Sequence, residues 1–243
     1  MCNAIISGKC LIVSPHLDDA VLSCGQLLAH HPGSVVVTVF AGVPSGARRL
    51  TWWDAASGFS NVAKAMAVRR EEDRAALGVL KARPLWLDFH DRQYRAPAVP
   101  ASAGIHTLPH LSDLMAALGE VLQQETPQTV CIPAGLGHPD HVRAHHAMLA
   151  LRAHHLDKIW LMYEDALYRR RRGHLRQRLQ HLQRQGVSVA PVVLSATGSM
   201  QLKKRALACY RSQLQALALL PRGYADAYAP ERYWRLSKGA GPA

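Results

Sequence analysis

Lys9-Cys10-Leu11-Ile12-Val13, running straight into Ser14-Pro15-His16-Leu17-Asp18-Asp19, is the stretch on which the fold reading turns. The apolar run predicts a buried strand that stops at Pro15, since proline brings no N–H to a sheet ladder. The next four residues put one imidazole and two carboxylates on a single strand end. A buried strand needs none of these groups. A metal centre uses both kinds as ligands, and a spare carboxylate beside the ion is a ready general base.

The pattern recurs downstream. Thr129-Val130-Cys131-Ile132 is a second short apolar run, and it ends in Pro133-Ala134-Gly135-Leu136-Gly137 followed by His138-Pro139-Asp140-His141. Ligands of open α/β sheets bind outside the carboxyl ends of the strands. Two neighbouring strand ends would bring His16, Asp18, Asp19, His138, Asp140 and His141 to one crevice. One His and one Asp from the first loop and one His from the second make three protein ligands. A fourth position then stays open for water, as in catalytic rather than structural zinc sites.

Outward from these runs, strand patterns fall at 10–14, 35–40, 85–89, 129–133, 159–163 and 190–195. Helical patterns fall at about 21–31, 61–82, 111–125, 141–154, 174–186 and 199–218. Strict alternation predicts βαβ units, hence a Rossmann-like three-layer α/β sandwich with a mostly parallel sheet. One domain over 1–243 is expected. Residues 41–60 and 91–110 lack periodicity and read as loops beside the active site. Lys238 to Ala243 read as a frayed end.

Composition agrees. The chain has 243 residues, 49% of them hydrophobic, enough for a sizeable core. No run of about 18 apolar residues predicts a membrane span, and residues 1–10 lack the pattern of a secretory signal. The five Cys include no CxxC pair; Cys10, Cys24, Cys131 and Cys209 read as buried thiols of a cytoplasmic protein. Net charge is +12. The run Arg169-Arg170-Arg171-Arg172 continues to Arg176, Arg178 and Arg184, but Leu175, Leu179 and Leu182 make this an amphipathic helix with a solvated basic face. A nucleic-acid partner is therefore not expected, and an anionic small molecule is the better use of the charge.

The pair Pro15-His16-Leu17-Asp18-Asp19 and His138-Pro139-Asp140-His141 resembles the LmbE/PIG-L family of zinc-dependent N-acetylglucosaminyl deacetylases. Arg69-Arg70-Glu71-Glu72 resembles that family's Arg-x-x-Glu helix. Lys204-Arg205-Ala206 with Tyr210-Arg211-Ser212-Gln213 resembles its late helix. Trp53-Asp54, Gly58-Phe59 and Gln93-Tyr94-Arg95 resemble the branch that acts on glycopeptide antibiotics. The resemblance implies Zn²⁺ held by His16, Asp19 and His141, with Fe²⁺ and Co²⁺ suited to the same ligands. It implies Asp18 as the general base, His138 as an imidazolium facing the developing oxyanion, Asp140 as the group that orients and charges His138, and Arg69 as a substrate contact. The reaction implied is removal of an N-acetyl or other N-acyl group from an amino sugar or related amide. Leu17 and Ala20 depart from the family's Pro and Glu.

Each residue also has a plainer reading. Asp18 or Asp19 alone is a good helix cap. His145 and His146 read as ordinary helix residues. Arg69 and Asp73 have the spacing of a helical ion pair. Trp52 and Trp53 suit either a sugar face or the loop's own packing. Three function classes stay open: the metal-dependent deacetylase, a ligand-binding protein on the same fold with Ala20 as its sign of lost chemistry, and a basic nucleic-acid-binding protein. Neither the acyl acceptor nor the oligomeric state is set by these residues.

Overall fold

The computed structural model describes residues 2–3, 6, 8–45, 49–95, 108–194 and 200–239. Its strands are β1 (Cys2–Asn3), β2 (Cys10–Ser14), β3 (Val35–Thr38), β4 (Arg83–Trp86), β5 (Thr129–Pro133), β6 (Ile159–Tyr163), β7 (Val187–Val193) and β8 (Tyr233–Lys238). They form one sheet in the order β1-β7-β8-β6-β5-β2-β3-β4. The block β6-β5-β2-β3-β4 is parallel throughout. Strand order reverses between β2 and β5, the topological switch point at which open α/β sheets hold their ligands.

The expected alternation is present. Helices α1 (Asp19–His30), α2 (Trp52–Ala56), α3 (Val62–Val79), α4 (Leu111–Glu125), α5 (Pro139–Arg152), α6 (His174–Arg184), α7 (Met200–Leu207) and α8 (Arg211–Ala218) connect the strands. Successive strand side chains point to opposite faces. Cys10 and Ile12 therefore pack with Leu22, Leu77 and Leu207 of α1, α3 and α7. Leu11 and Val13 pack with Leu118, Met148 and Leu182 of α4, α5 and α6. Every residue of β2, β3 and β5 is buried, which is why these strands read as continuous apolar runs rather than alternating ones. Cys10, Cys24 and Cys131 are buried free thiols, whereas Cys209, expected to be buried, is partly exposed near the end of α7. No helix among the described residues is long and apolar enough to cross a membrane.

Four further expectations change. β8 is not legible as a strand in advance; it lies antiparallel to both β6 and β7. Lys238 ends it, paired with Val187, instead of fraying. The helix expected over 199–218 is two helices, and residue 199 lies outside the described residues. The break between α7 and α8 falls at Tyr210, whose buried hydroxyl donates to Asp73 Oδ1 at 2.7 Å. Glu72 then takes both the N–H and the hydroxyl of Ser212 at the start of α8, at 2.8 and 2.6 Å. The loop expected at 41–60 contains α2, started by a reciprocal cap between Thr51 and Asp54. Of the loop expected at 91–110, residues 96–107 lie outside the described residues.

Candidate metal centre and its cavity

β2 and β5 are hydrogen-bonded neighbours, so the two loops that follow them open side by side. His16 lies in the β2–α1 loop, Asp18 at the N-cap of α1 and Asp19 at its first position. His138 is the N-cap of α5, and Asp140 and His141 lie in its first turn. Gly135 and Gly137 adopt positive φ in the approach to His138. A Cβ on Gly135 would stand 2.9 Å from His145 Cβ and 3.1 Å from the His141 carbonyl, so only glycine lets the loop turn this tightly.

The side chains converge. One oxygen of Asp19, Oδ2, lies 3.1 Å from His16 Nδ1 and 3.1 Å from His141 Nε2. The other ring nitrogen of each histidine meets a second carboxylate. His141 Nδ1 donates to Asp165 Oδ1 at 2.7 Å, and His16 Nε2 lies 3.2 Å from Asp140 Oδ2. In the neutral tautomer that donates outward to Asp165 or Asp140, each ring turns the lone pair of its inner nitrogen toward Asp19. His141 Nε2 is buried without a hydrogen-bond partner although Asp19 is close. In that tautomer the inner nitrogens and Asp19 Oδ2 present lone pairs that a shared cation would satisfy. Tetrahedral ligands at 2.0–2.1 Å stand about 3.3 Å apart, which matches the spacing here. An outer carboxylate on each ligating imidazole is the usual support of a metal centre. The residues therefore fit a divalent cation.

The surrounding charge favours positive charge at this point. Burial opposes it, yet Asp19 and Asp165 raise His141 to about 9. Burial also opposes charge on His16, and Asp91, Asp140 and Asp19 outweigh it. Asp18 behaves differently. Burial, with Asp19 next to it, pushes its carboxyl up to about 7. It occupies the N-cap position but makes no side-chain cap hydrogen bond, so the plain capping role does not account for it.

Three roles implied by the resemblance change. Asp140 does not pair its carboxylate with His138. That carboxylate takes His16 Nε2, the Arg92 N–H at 3.0 Å and the guanidinium of Arg95. The link to His138 is the Asp140 backbone N–H, which donates to His138 Nδ1 at 3.2 Å. A nitrogen that accepts carries no proton. Burial first, then positive charge at the centre formed by His16 and His141, pushes His138 down to about 2. His138 is thus a neutral ring with Nε2–H as its donor, not an imidazolium. Arg69 does not line the cavity either. It is buried, pairs with Asp54 at 2.9 Å and donates to Tyr94 and Ser57. The expected pair with Asp73 is absent as well: Asp73 takes Trp86 and Tyr210 instead.

The cavity over the centre has a volume of about 600 Å³ and is lined by His16, Asp18, Asp19 and His138 at the metal end. Asp91, Arg92, Gln93, Tyr168, Arg171, Trp52, Leu217 and Leu220 complete the wall. Both tryptophans line the cavity; Trp52 is 62% exposed, and the Trp53 indole N–H is held by Gln213 at 3.0 Å. Of the two uncertain histidines, His145 turns inward and donates to the Pro133 carbonyl at 2.8 Å, and His146 takes Arg178. Ala20 packs in the core, so its departure from the motif takes nothing from the cavity wall. Sequence reasoning missed Asp91, Asp165 and Tyr168. Asp165 had a signal: Glu164-Asp165 directly follows β6, another strand end with acids.

Residues 11–152, more than half of the chain, match the GlcNAc-PI de-N-acetylase (PIG-L) family. The chain belongs to that family. Three solved structures share the PIG-L chain's fold. A zinc-inhibited form of teicoplanin deacetylase Orf2 is 23% identical at a TM-score of 0.78, over 97% of this chain and 100% of that one. A triple mutant of the deacetylase in teicoplanin biosynthesis is 26% identical at 0.75, over 97% and 100%. The A40926 pseudoaglycone deacetylase Dbv21 is 25% identical at 0.71, over 96% and 98%. No curated protein matches the chain significantly in sequence.

Proposed function

We propose that this PIG-L chain is an amide hydrolase that removes an N-acetyl group from an amino sugar, with a divalent cation held by His16, Asp19 and His141. The observation that carries the reading is the meeting of two imidazole nitrogens at one Asp19 oxygen, each ring backed by its own carboxylate. When bound, the cation supplies a Lewis acid for the amide carbonyl and lowers the pKa of water. Zn²⁺ is the first choice by ligand set, with Fe²⁺ and Co²⁺ close behind.

The chain's own groups do the rest. Asp18 faces the cavity without a cap bond, so it takes the proton from the attacking water and returns it to the leaving amine. His138 offers Nε2–H to the carbonyl oxygen as negative charge builds there. Asp140 fixes the ring of His16, and Arg95 and the Arg92 N–H fix Asp140. Trp52, Leu217 and Leu220 suit an amino sugar carrying a larger apolar aglycone, and the similar solved proteins are deacetylases of teicoplanin and A40926 pseudoaglycone.

The test is metal analysis of the purified protein joined to free-amine detection over N-acetyl amino sugars and N-acetylglucosaminyl glycopeptides. Zn²⁺, Fe²⁺ and Co²⁺ are each titrated from below one equivalent to excess, because one similar deacetylase is a zinc-inhibited form. One tightly bound ion and amine release are expected. A bound ion with no amine from any compound would leave the ligand-binding reading in its place.

A further inference from the structure

The four-arginine run resolves into four different environments. Arg169 donates to the backbone carbonyls of Pro230 and Asp226 at 2.8 and 2.7 Å. Arg170 lines the cavity but is shared with the Asp226 carboxylate at 3.4 Å and the Pro221 carbonyl at 3.2 Å. Arg172 is exposed. Arg171 is the odd member. Its stem crosses Gly137, where a Cβ would meet Arg171 Cδ at 3.0 Å. Its guanidinium lies over the Tyr168 ring at 5.5 Å and touches the Gly137 carbonyl at 3.4 Å. It lines the cavity, and among the described residues it has no carboxylate partner.

This placement has a chemical meaning. Tyr168 and Gly137 hold the guanidinium beside the loop that carries His138, yet neither neutralises it. Asp18, Asp19 and Asp91 line the same cavity, and the Tyr168 ring stands between the guanidinium and the centre, 4.7 Å from the His141 ring. A substrate with a neutral acylated sugar over the centre and an oxyanion beside Tyr168 meets both the carboxylates and the guanidinium. A planar guanidinium with free N–H edges is the side chain best suited to a carboxylate or a phosphate.

We infer that Arg171 reads an anionic group, a carboxylate or a phosphate, on the part of the substrate attached to the N-acylated sugar. The inference rests on the deacetylase reading and names the substrate class within it. Arg171 acts through binding and selectivity, not on the reacting atoms.

The test uses two matched pairs on the metal-loaded protein. The first is the 4-carboxyphenyl glycoside of N-acetylglucosamine against its 4-carboxamide counterpart, which differs almost only in charge. The second is N-acetylglucosamine 1-phosphate against the methyl glycoside. Wild type should favour the anionic member of at least one pair by about 10-fold or more in kcat/KM, through KM, the scale of one charge-assisted hydrogen bond. The pair that shows the preference tells carboxylate from phosphate. Arg171→Gln should abolish the preference, and Arg172→Gln should keep it. Equal kcat/KM within both pairs in wild type, or a preference that survives Arg171→Gln, overturns the inference. Absence of amine from all four compounds would count against the deacetylase reading instead. Calorimetric binding of the same pairs then decides Arg171 separately: tighter binding of the anion, lost in Arg171→Gln, supports it, and equal binding overturns it.

Discussion

At the residue scale, adjacent groups have separate tasks because their surroundings differ. Asp19 Oδ2 lies at the meeting point of two imidazoles, while Asp18 caps α1 in position only. Asp19→Ala should therefore strip the ion. Asp18→Ala should keep it and lose at least ~10²-fold in kcat. His138→Ala should also keep it; His138 lies close enough to His16 and His141 to form a three-histidine group, so metal loss in that variant would make it a ligand. The three metal contents, read by elemental analysis, separate the roles. Asp165 is a further case. It holds the His141 ring and accepts the Leu136 N–H at 2.9 Å with its other oxygen. Asp165→Ala should weaken metal binding by ~10–100-fold, measured against a competing chelator. Unchanged affinity would reduce Asp165 to a loop brace.

At the element scale, α1 is the helix on which the centre is built, and it is not a plain helix. Cys24 departs from helical dihedrals, which opens a second start within α1. Glu231 fills the break by accepting the N–H groups of Gln26 and Leu27 at 2.8 and 3.2 Å. Its charge is matched by Lys203 of α7, which is fully buried and also donates to the Leu22 carbonyl at 2.9 Å. The Lys203 stem crosses α1 at Gly25, where a Cβ would come within 2.6 Å of Lys203 Cγ. Removing one partner of a buried pair strands the other charge. Lys203→Met should cost about 3–5 kcal/mol in urea unfolding. Lys203→Met with Glu231→Gln should cost less than the single change, because no buried charge is left alone. A double variant weaker than the single one would show that Lys203 contributes mainly through packing.

At the scale of the whole molecule, Asp73 ties together parts distant in the chain. Placed on α3, it accepts Trp86 of β4 at 2.8 Å and Tyr210 between α7 and α8 at 2.7 Å. Burial, only partly offset by these bonds, pushes its carboxyl from 3.8 up to about 6. The folded state thus holds the proton more tightly than the unfolded chain. This contribution to stability is fully present below about pH 4 and is lost as pH rises through 6. Asp73→Asn lacks the titration. The stability of wild type relative to that variant should fall by about 3 kcal/mol at most between pH 4 and pH 7, followed by denaturant unfolding at each pH. A difference that stays flat with pH would mean the two hydrogen bonds already hold the carboxylate at its ordinary value.

What the sequence determined by itself was local. β2 and β5 are short apolar runs closed by proline, and their strand ends carry Pro15-His16-Leu17-Asp18-Asp19 and His138-Pro139-Asp140-His141. Strand periodicity and strand-end polarity are properties of neighbouring residues, so the parallel block and the six convergent side chains are legible without coordinates. Tertiary structure decided what depends on partners far along the chain. β8 is a strand because β6 and β7 offer it two edges. Arg69 turns inward because Asp54 and Tyr94 meet it there. Asp140 serves His16 rather than its near neighbour His138 because β2 and β5 lie side by side. Arg171 differs from Arg169, Arg170 and Arg172 only in what the fold puts against it. Charge and periodicity are written residue by residue. The groups that neutralise a charge or leave it facing a cavity are chosen by packing, and packing exists only once distant segments have met.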